Sequence, residues 1–187
     1  TPPGHWNQLA NGFSWRDQHT VEEDVKLYFA LNAALLDASI GTWFAKRNYE
    51  TIRPISAIRD RYFDDTIAMW GGPNRGTVSA RGSEWRPYQS LTFVTPPFPG
   101  YTSGHSAFSA AGASVLAAFT GSTRFYDGTT ILPWDDNLDG VRDRLGEHVQ
   151  VVGGGRFERM PASLVVLSWP TLGEAADEAG VSRIYGG

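Results

Sequence analysis

The chain contains no cysteine. That excludes a disulfide, a thiolate nucleophile and any cysteine-ligated metal. It leaves the compartment open. An excess of basic residues is missing too: 16 Lys and Arg stand against 20 Asp and Glu, for a net charge of −4. Nucleic-acid binding normally needs a basic face, so no nucleic-acid partner is expected, although a local basic pocket is compatible with the balance. No apolar run approaches about 18 residues, so no membrane span is expected. The first residues, TPPGHWNQLANG, have neither the charged start nor the apolar stretch of a signal peptide. They read as a start in mid-protein, and the chain stops abruptly after SRIYGG. A domain incomplete at both ends is therefore expected. What is present suffices for one core: 187 residues, of which 41% are hydrophobic, predict a single globular domain over 1–187.

Residues 1–19, rich in Pro, Gly, Asn and Trp, read as loop. Thr20 with Glu23 forms a capping-box pattern, and Val25, Tyr28, Phe29, Leu31, Leu35, Leu36 and Ile40 keep helical spacing. A helix is predicted over about 21–52, with a break near Gly41 and an end or kink at Pro54. ISAIRDRYF predicts a second, short helix. Residues 64–100, rich in Gly and Pro, predict loop with short helical pieces. Residues 103–120, SGHSAFSAAGASVLAAFT, form a small-residue helix ending at Gly121. Residues 121–162 look irregular and polar, with QVVGGGRF as a short strand. Thr171 with Glu174 caps a last helix, LGEAADEAGVSRIY. The fold class is all-α, a helical bundle with long irregular loops.

Three short segments carry chemistry. Lys46 and Arg53 stand at i and i+7, about two turns apart, so on one helix they leave the same face. Like charges on one stripe repel unless an anion or carboxylate lies between them. A solvated basic face is the plain alternative. In YTSGHSA, Ser103 suits an N-cap and Gly104 permits close backbone approach. The N–H groups of Gly104, His105 and Ser106 would then point out of the helix start, where phosphate-like anions bind. His105 would stand beside that anion, placed for proton transfer. A capped helix with a surface His is the alternative. Ser182 and Arg183, at the end of the last helix, say nothing alone.

Together, KRNYETIRP, TSGH and SRIYGG resemble, in order and spacing, the type-2 phosphatidic acid phosphatase superfamily. That superfamily includes vanadium-dependent haloperoxidases and class A bacterial acid phosphatases. The text around the motifs, NAALLDASIGTWFAK, TPPFPGYTSGHSAFSAAG and DEAGVSRIYGG, is similar to the haloperoxidase branch. The resemblance implies that Lys46, Arg53 and Arg183 hold an oxyanion's oxygens, that Ser103 and the Gly104 N–H donate to it, and that His105 is the acid–base residue. It implies vanadate as cofactor, or phosphate or sulfate in its place, with peroxide and halide as substrates. Trp43 and Phe98 match positions of the apolar halide side in the chloroperoxidase branch. Family members are often exported, so a periplasmic or secreted location is expected. One departure matters. The family's third motif continues Ser-Arg, five residues, His, and that His is the covalent ligand or nucleophile. Here it would fall two positions beyond Gly187, and none of His5, His19, His105 and His148 stands there. Little or no turnover is therefore expected of the 187 residues alone. Two further readings stay open: a metal-independent acid phosphatase working through a phospho-His, and an inactive anion-binding fragment.

Elsewhere, Asp135, Asn137, Asp139 and Gly140 have calcium-loop spacing, but position twelve is Gly146, with Glu147 one place late. A polar acidic loop is therefore the favoured reading of these positions, and a calcium site the lesser one. Numerous apolar helices make a homodimer an expectation, without indicating which face would pair.

Overall fold

The computed structural model describes residues 2–72, 75–89, 94–125 and 169–186, with the backbone alone for 2 and 182–186. The architecture is mostly helical, with one small hairpin.

The N-terminal segment is helix, not loop: α1 spans Pro2–Arg16. Proline is tolerated in a first turn, where its missing N–H has no helical partner. Trp6, Ala10 and Phe13 share one face, and all three are buried. The Trp6 indole Nε1 donates to Ser109 Oγ at 3.1 Å. Gly112 makes that approach possible, because a Cβ there would lie 2.5 Å from Trp6 Cδ2.

Helix α2 spans Val21–Tyr49. The expected capping box is present. The Glu23 carboxylate accepts from the Thr20 backbone N–H at 2.7 Å, and Thr20 Oγ1 accepts from the Glu23 N–H at 3.3 Å. These Thr20 hydrogen bonds hold the Glu23 carboxyl below the usual carboxylate range. The expected break at Gly41 does not occur. One helical Gly costs about 1 kcal/mol, and the buried face of Leu27, Leu31, Leu35, Thr42 and Lys46 runs past it. Val25, Phe29, Leu36 and Ile40 share the helical period but lie on the opposite, exposed side. The helix stops short of residue 52. Glu50 adopts the left-handed conformation, φ 43° and ψ 42°, and its N–H closes onto the Lys46 carbonyl.

Helix α3, Pro54–Arg61, follows with Pro in its first turn. Residues 64–100 were expected to hold short helical pieces. They do hold one short helical piece, a 3-10 turn at Gly82–Glu84, but the larger element is one the expectation lacks, an antiparallel hairpin of β1 (Thr66–Trp70) and β2 (Thr77–Arg81), with Ala68 opposite Ser79. Thr66, Ile67, Thr77 and Val78 are β-branched, which suits a half-buried pleated surface better than a helix. Arg59 Nε ties α3 to this region by donating to the Trp85 carbonyl at 2.8 Å.

Helix α4, Gly104–Thr120, packs against α2, α5 and α1. Its expected stop at Gly121 holds, with φ 68°. Helix α5, Leu172–Gly186, starts from the expected Thr171–Glu174 capping box. It runs antiparallel to α4. The Leu172 N–H donates to the Thr123 carbonyl beyond the C-terminal end of α4, while Gly180 lies beside Ser106 at its N-terminal end. Phe13, Leu27, Leu31, Leu116 and Leu172 form the fully buried centre. The segment QVVGGGRF and the calcium-spaced positions Asp135, Asn137 and Asp139 lie outside the described residues.

Candidate oxyanion site at the start of helix α4

The route into the site begins where α2 ends. After the left-handed Glu50, Pro54 restricts the residue before it to extended backbone, and Arg53 sits at φ −74°, ψ 149°. Arg53 is therefore the N-cap of α3, not a residue two turns along α2. The same-face geometry expected from their spacing is not what joins it to Lys46. A loop joins them instead. Lys46 Nζ donates to the carbonyls of Pro99 at 2.8 Å and Gly100 at 3.3 Å. Arg53 Nε donates to the neighbouring Phe98 carbonyl at 2.6 Å. Two cations thus reach three consecutive residues of TPPFPG.

Lys46 is only 3% exposed. A buried ammonium needs partners, and these carbonyls are two of them. The Phe98 ring is within cation–π range of both cations, with Lys46 Nζ 5.1 Å and Arg53 Cζ 4.7 Å from its centroid. Trp43 packs 5.7 Å from Phe98 and 6.4 Å from Phe108 by ring centroids. A Cβ at Gly104 would lie 3.3 Å from Trp43, so α4 begins directly against this aromatic pair. Trp43, Lys46, Arg53, Phe98 and Gly104 therefore belong to one cluster. Arg53 and Phe98 also line, with Thr51 and Pro96, Pro97 and Pro99, an open depression of about 430 Å³.

Ser103 is the N-cap of α4, as expected. Its Oγ accepts from the Ser106 N–H at 3.2 Å, and the Ser106 hydroxyl lies 3.0 Å away. The Ser106 N–H is therefore committed to the cap and does not point outward as the sequence suggested. His105 is exposed in the first turn. Arg183 lies one turn past Gly180, so the backbone of α5 carries it to the α4 N-terminal end. Its side chain lies outside the described residues.

Thr51 escaped the reading of the sequence. Its carbonyl accepts from the Gly100 N–H at 3.3 Å, and its Oγ1 accepts from the Tyr101 N–H at 2.8 Å. It clamps the strand of chain that delivers Ser103. Nothing in TIRP signals this, because the contact crosses 50 positions.

Residues 26–187 match the family described as VCPO second helical-bundle domain. The chain belongs to that family. It is 28% identical over 172 residues to the vanadium chloroperoxidase of Curvularia inaequalis, an alignment covering 86% of this chain and 26% of that protein. Among solved structures, a holo-type bacterial vanadium-dependent chloroperoxidase superposes over 100% of this chain and 35% of its own, with a TM-score of 0.68 and 24% identity. An apo-type bacterial vanadium-dependent chloroperoxidase gives 0.60 and 26% identity over 84% of this chain and 30% of its own. The chain thus spans about a quarter to a third of the relatives it matches. Within the VCPO second-domain family, the helical-bundle expectation holds, with the hairpin as an addition.

Proposed function

We propose that this domain is the oxyanion-binding part of a vanadate-dependent haloperoxidase, which oxidises halide with hydrogen peroxide in the full-length enzyme. The observation that carries the reading is the convergence of the Lys46 ammonium and the Arg53 guanidinium on residues 98–100. Three residues later that loop becomes the Ser103 cap of α4.

The donor set fits a vanadate-like oxyanion. Lys46 and Arg53 supply fixed positive charge, and Arg53 adds a planar fork suited to paired oxygens. The Ser103 hydroxyl, the Gly104 N–H and the positive end of the α4 dipole supply neutral donors. Arg183 adds a third cation from α5. Donors held by packing stabilise spread negative charge without reorganising as it develops. Vanadate, when bound, supplies a Lewis-acidic centre for peroxide. His105, exposed in the first turn, moves protons at the bound oxygens. Trp43 and Phe98 form the apolar wall beside the cations, which favours a weakly hydrated halide over a phosphate ester. The family's covalent His is not among these 187 residues, so Lys46, Arg53, Ser103 and Gly104 bind but do not complete the site.

The test extends the chain by a segment that places His two residues beyond Gly187. Peroxide-dependent halide oxidation with added vanadate is measured beside phosphate-ester hydrolysis without it. Halide oxidation that requires vanadate, with none from the 187-residue chain, is the expected result. Hydrolysis without halide oxidation would establish the phosphatase reading instead.

A further inference from the structure

The loop that leads into α4 is poor in hydrogen-bond donors. Pro96, Pro97 and Pro99 have no N–H. Over residues 96–101 only Phe98, Gly100 and Tyr101 can donate from the backbone. The Phe98 N–H turns back to the Pro96 carbonyl at 2.9 Å. The other two both go to Thr51: Gly100 donates to its carbonyl at 3.3 Å and Tyr101 to its Oγ1 at 2.8 Å. One residue therefore takes both N–H groups that this stretch directs outside itself.

The loop's carbonyls are held differently. Lys46 Nζ donates to Pro99 and Gly100, and Arg53 Nε to Phe98. Those ties come from the same cations that would grip an oxyanion. An anionic oxygen is a stronger acceptor for an ammonium or a guanidinium than a neutral carbonyl is. A bound anion therefore competes for the donors that hold residues 98–100. It takes nothing from Thr51, which holds the loop as an acceptor and carries no charge.

Thr51 also stands where both halves of the site can be set at once. Arg53 follows it by two residues, and Ser103 follows Tyr101 by two. We infer that Thr51 is a positioning residue: its hydroxyl oxygen fixes the Ser103 cap against Arg53, and so sets the spacing of the neutral and the charged donors. The inference rests on the oxyanion site proposed above. Thr51 acts through the loop and need not touch the anion. Its hydrogen bond to Tyr101 is exposed, so water can replace it at little cost in stability. A donor displaced by a fraction of an ångström, in contrast, loses its line to a ligand oxygen. The expected signature is lost affinity without a matching loss of stability.

The test titrates the vanadate-free, full-length enzyme with inorganic phosphate by calorimetry, as wild type, Thr51→Val and Thr51→Ser. Valine keeps the shape and removes the acceptor, while serine keeps the acceptor. Thr51→Val should weaken phosphate binding about three- to tenfold, the range of one hydrogen bond, with a urea midpoint close to that of wild type. Thr51→Ser should bind like wild type. Hydrogen exchange at the Tyr101 amide should quicken in Thr51→Val and not in Thr51→Ser. In a Ser103→Ala background the Thr51→Val penalty should shrink, because the hydroxyl that Thr51 places is gone. Thr51→Ala, read in the same ways, replaces the valine variant if that chain fails to fold. Equal phosphate affinity in wild type and the variant lacking the acceptor, or a penalty undiminished without the Ser103 hydroxyl, would overturn this inference alone. Absence of phosphate binding in wild type would sink the oxyanion reading, and this inference with it.

Discussion

Gly112 and Gly41 both lie inside helices, and the same substitution should act on them in opposite directions. Replacing a helical Gly by Ala gains about 1 kcal/mol from backbone propensity. At Gly41 a Cβ meets nothing within 4 Å, so that gain should appear undiminished. At Gly112 the Cβ would lie 2.5, 2.7 and 2.8 Å from three atoms of the Trp6 indole. The ring is 4% exposed and held by its hydrogen bond to Ser109, so it cannot swing aside. Overpacking of this kind costs about 1–3 kcal/mol, and three simultaneous contacts on a rigid ring place it at the upper end. Subtracting the propensity gain leaves a net loss of about 2 kcal/mol. For a domain of this size that lowers Tm by roughly 4–8 °C. Urea denaturation of wild type, Gly41→Ala and Gly112→Ala measures the signs. Repeating Gly112→Ala in a Trp6→Ala background isolates the contact, and there the penalty should vanish. A stable Gly112→Ala chain, or a penalty that persists without Trp6, would refute the packing of α1 on α4.

Arg53→Ala should weaken vanadate or phosphate binding about tenfold or more, since it removes a charge-assisted donor; calorimetry reads this directly. Arg53→Lys should recover part of the loss, because the charge returns without the planar fork. Thr20→Ala should cost about 1 kcal/mol in urea denaturation through loss of the α2 cap. Glu23 has a lowered pKa in the folded chain, so its stabilisation is complete above the unfolded carboxylate value and is lost as pH falls through the folded one. The stability difference between wild type and Glu23→Ala should accordingly shrink on acidification below the carboxylate range, measured by urea midpoints.

Helix ends were legible in the sequence where a side chain closes on its own backbone. Thr20 with Glu23, Ser103, Gly121, and Thr171 with Glu174 are all local, and all stand where the pattern placed them. The errors arose where tertiary packing decides. Trp6, Ala10 and Phe13 have helical spacing, but the prolines before them signal loop as readily as the first turn they occupy. The hairpin was obscured because its alternation is weak and its strands are short. The site shows a subtler mismatch. Lys46 and Arg53 were brought together in the expectation by helical periodicity, and the fold brings them together through the 98–100 carbonyls. Arg53 leaves the helix because Glu50 turns left-handed, which no spacing rule reports. Thr51 was invisible for the same reason: its partners lie some fifty positions away.

The slot for Trp6 has a consequence for biosynthesis. Its partner Ser109 is 103 residues downstream, and Gly112 is three further on. At about 5–20 residues per second, the indole leaves the ribosome roughly 5–20 s before the surface that receives it has been made. During that interval α1 has no α4 to close against, and of its two helical neighbours in the fold only α2 has been made.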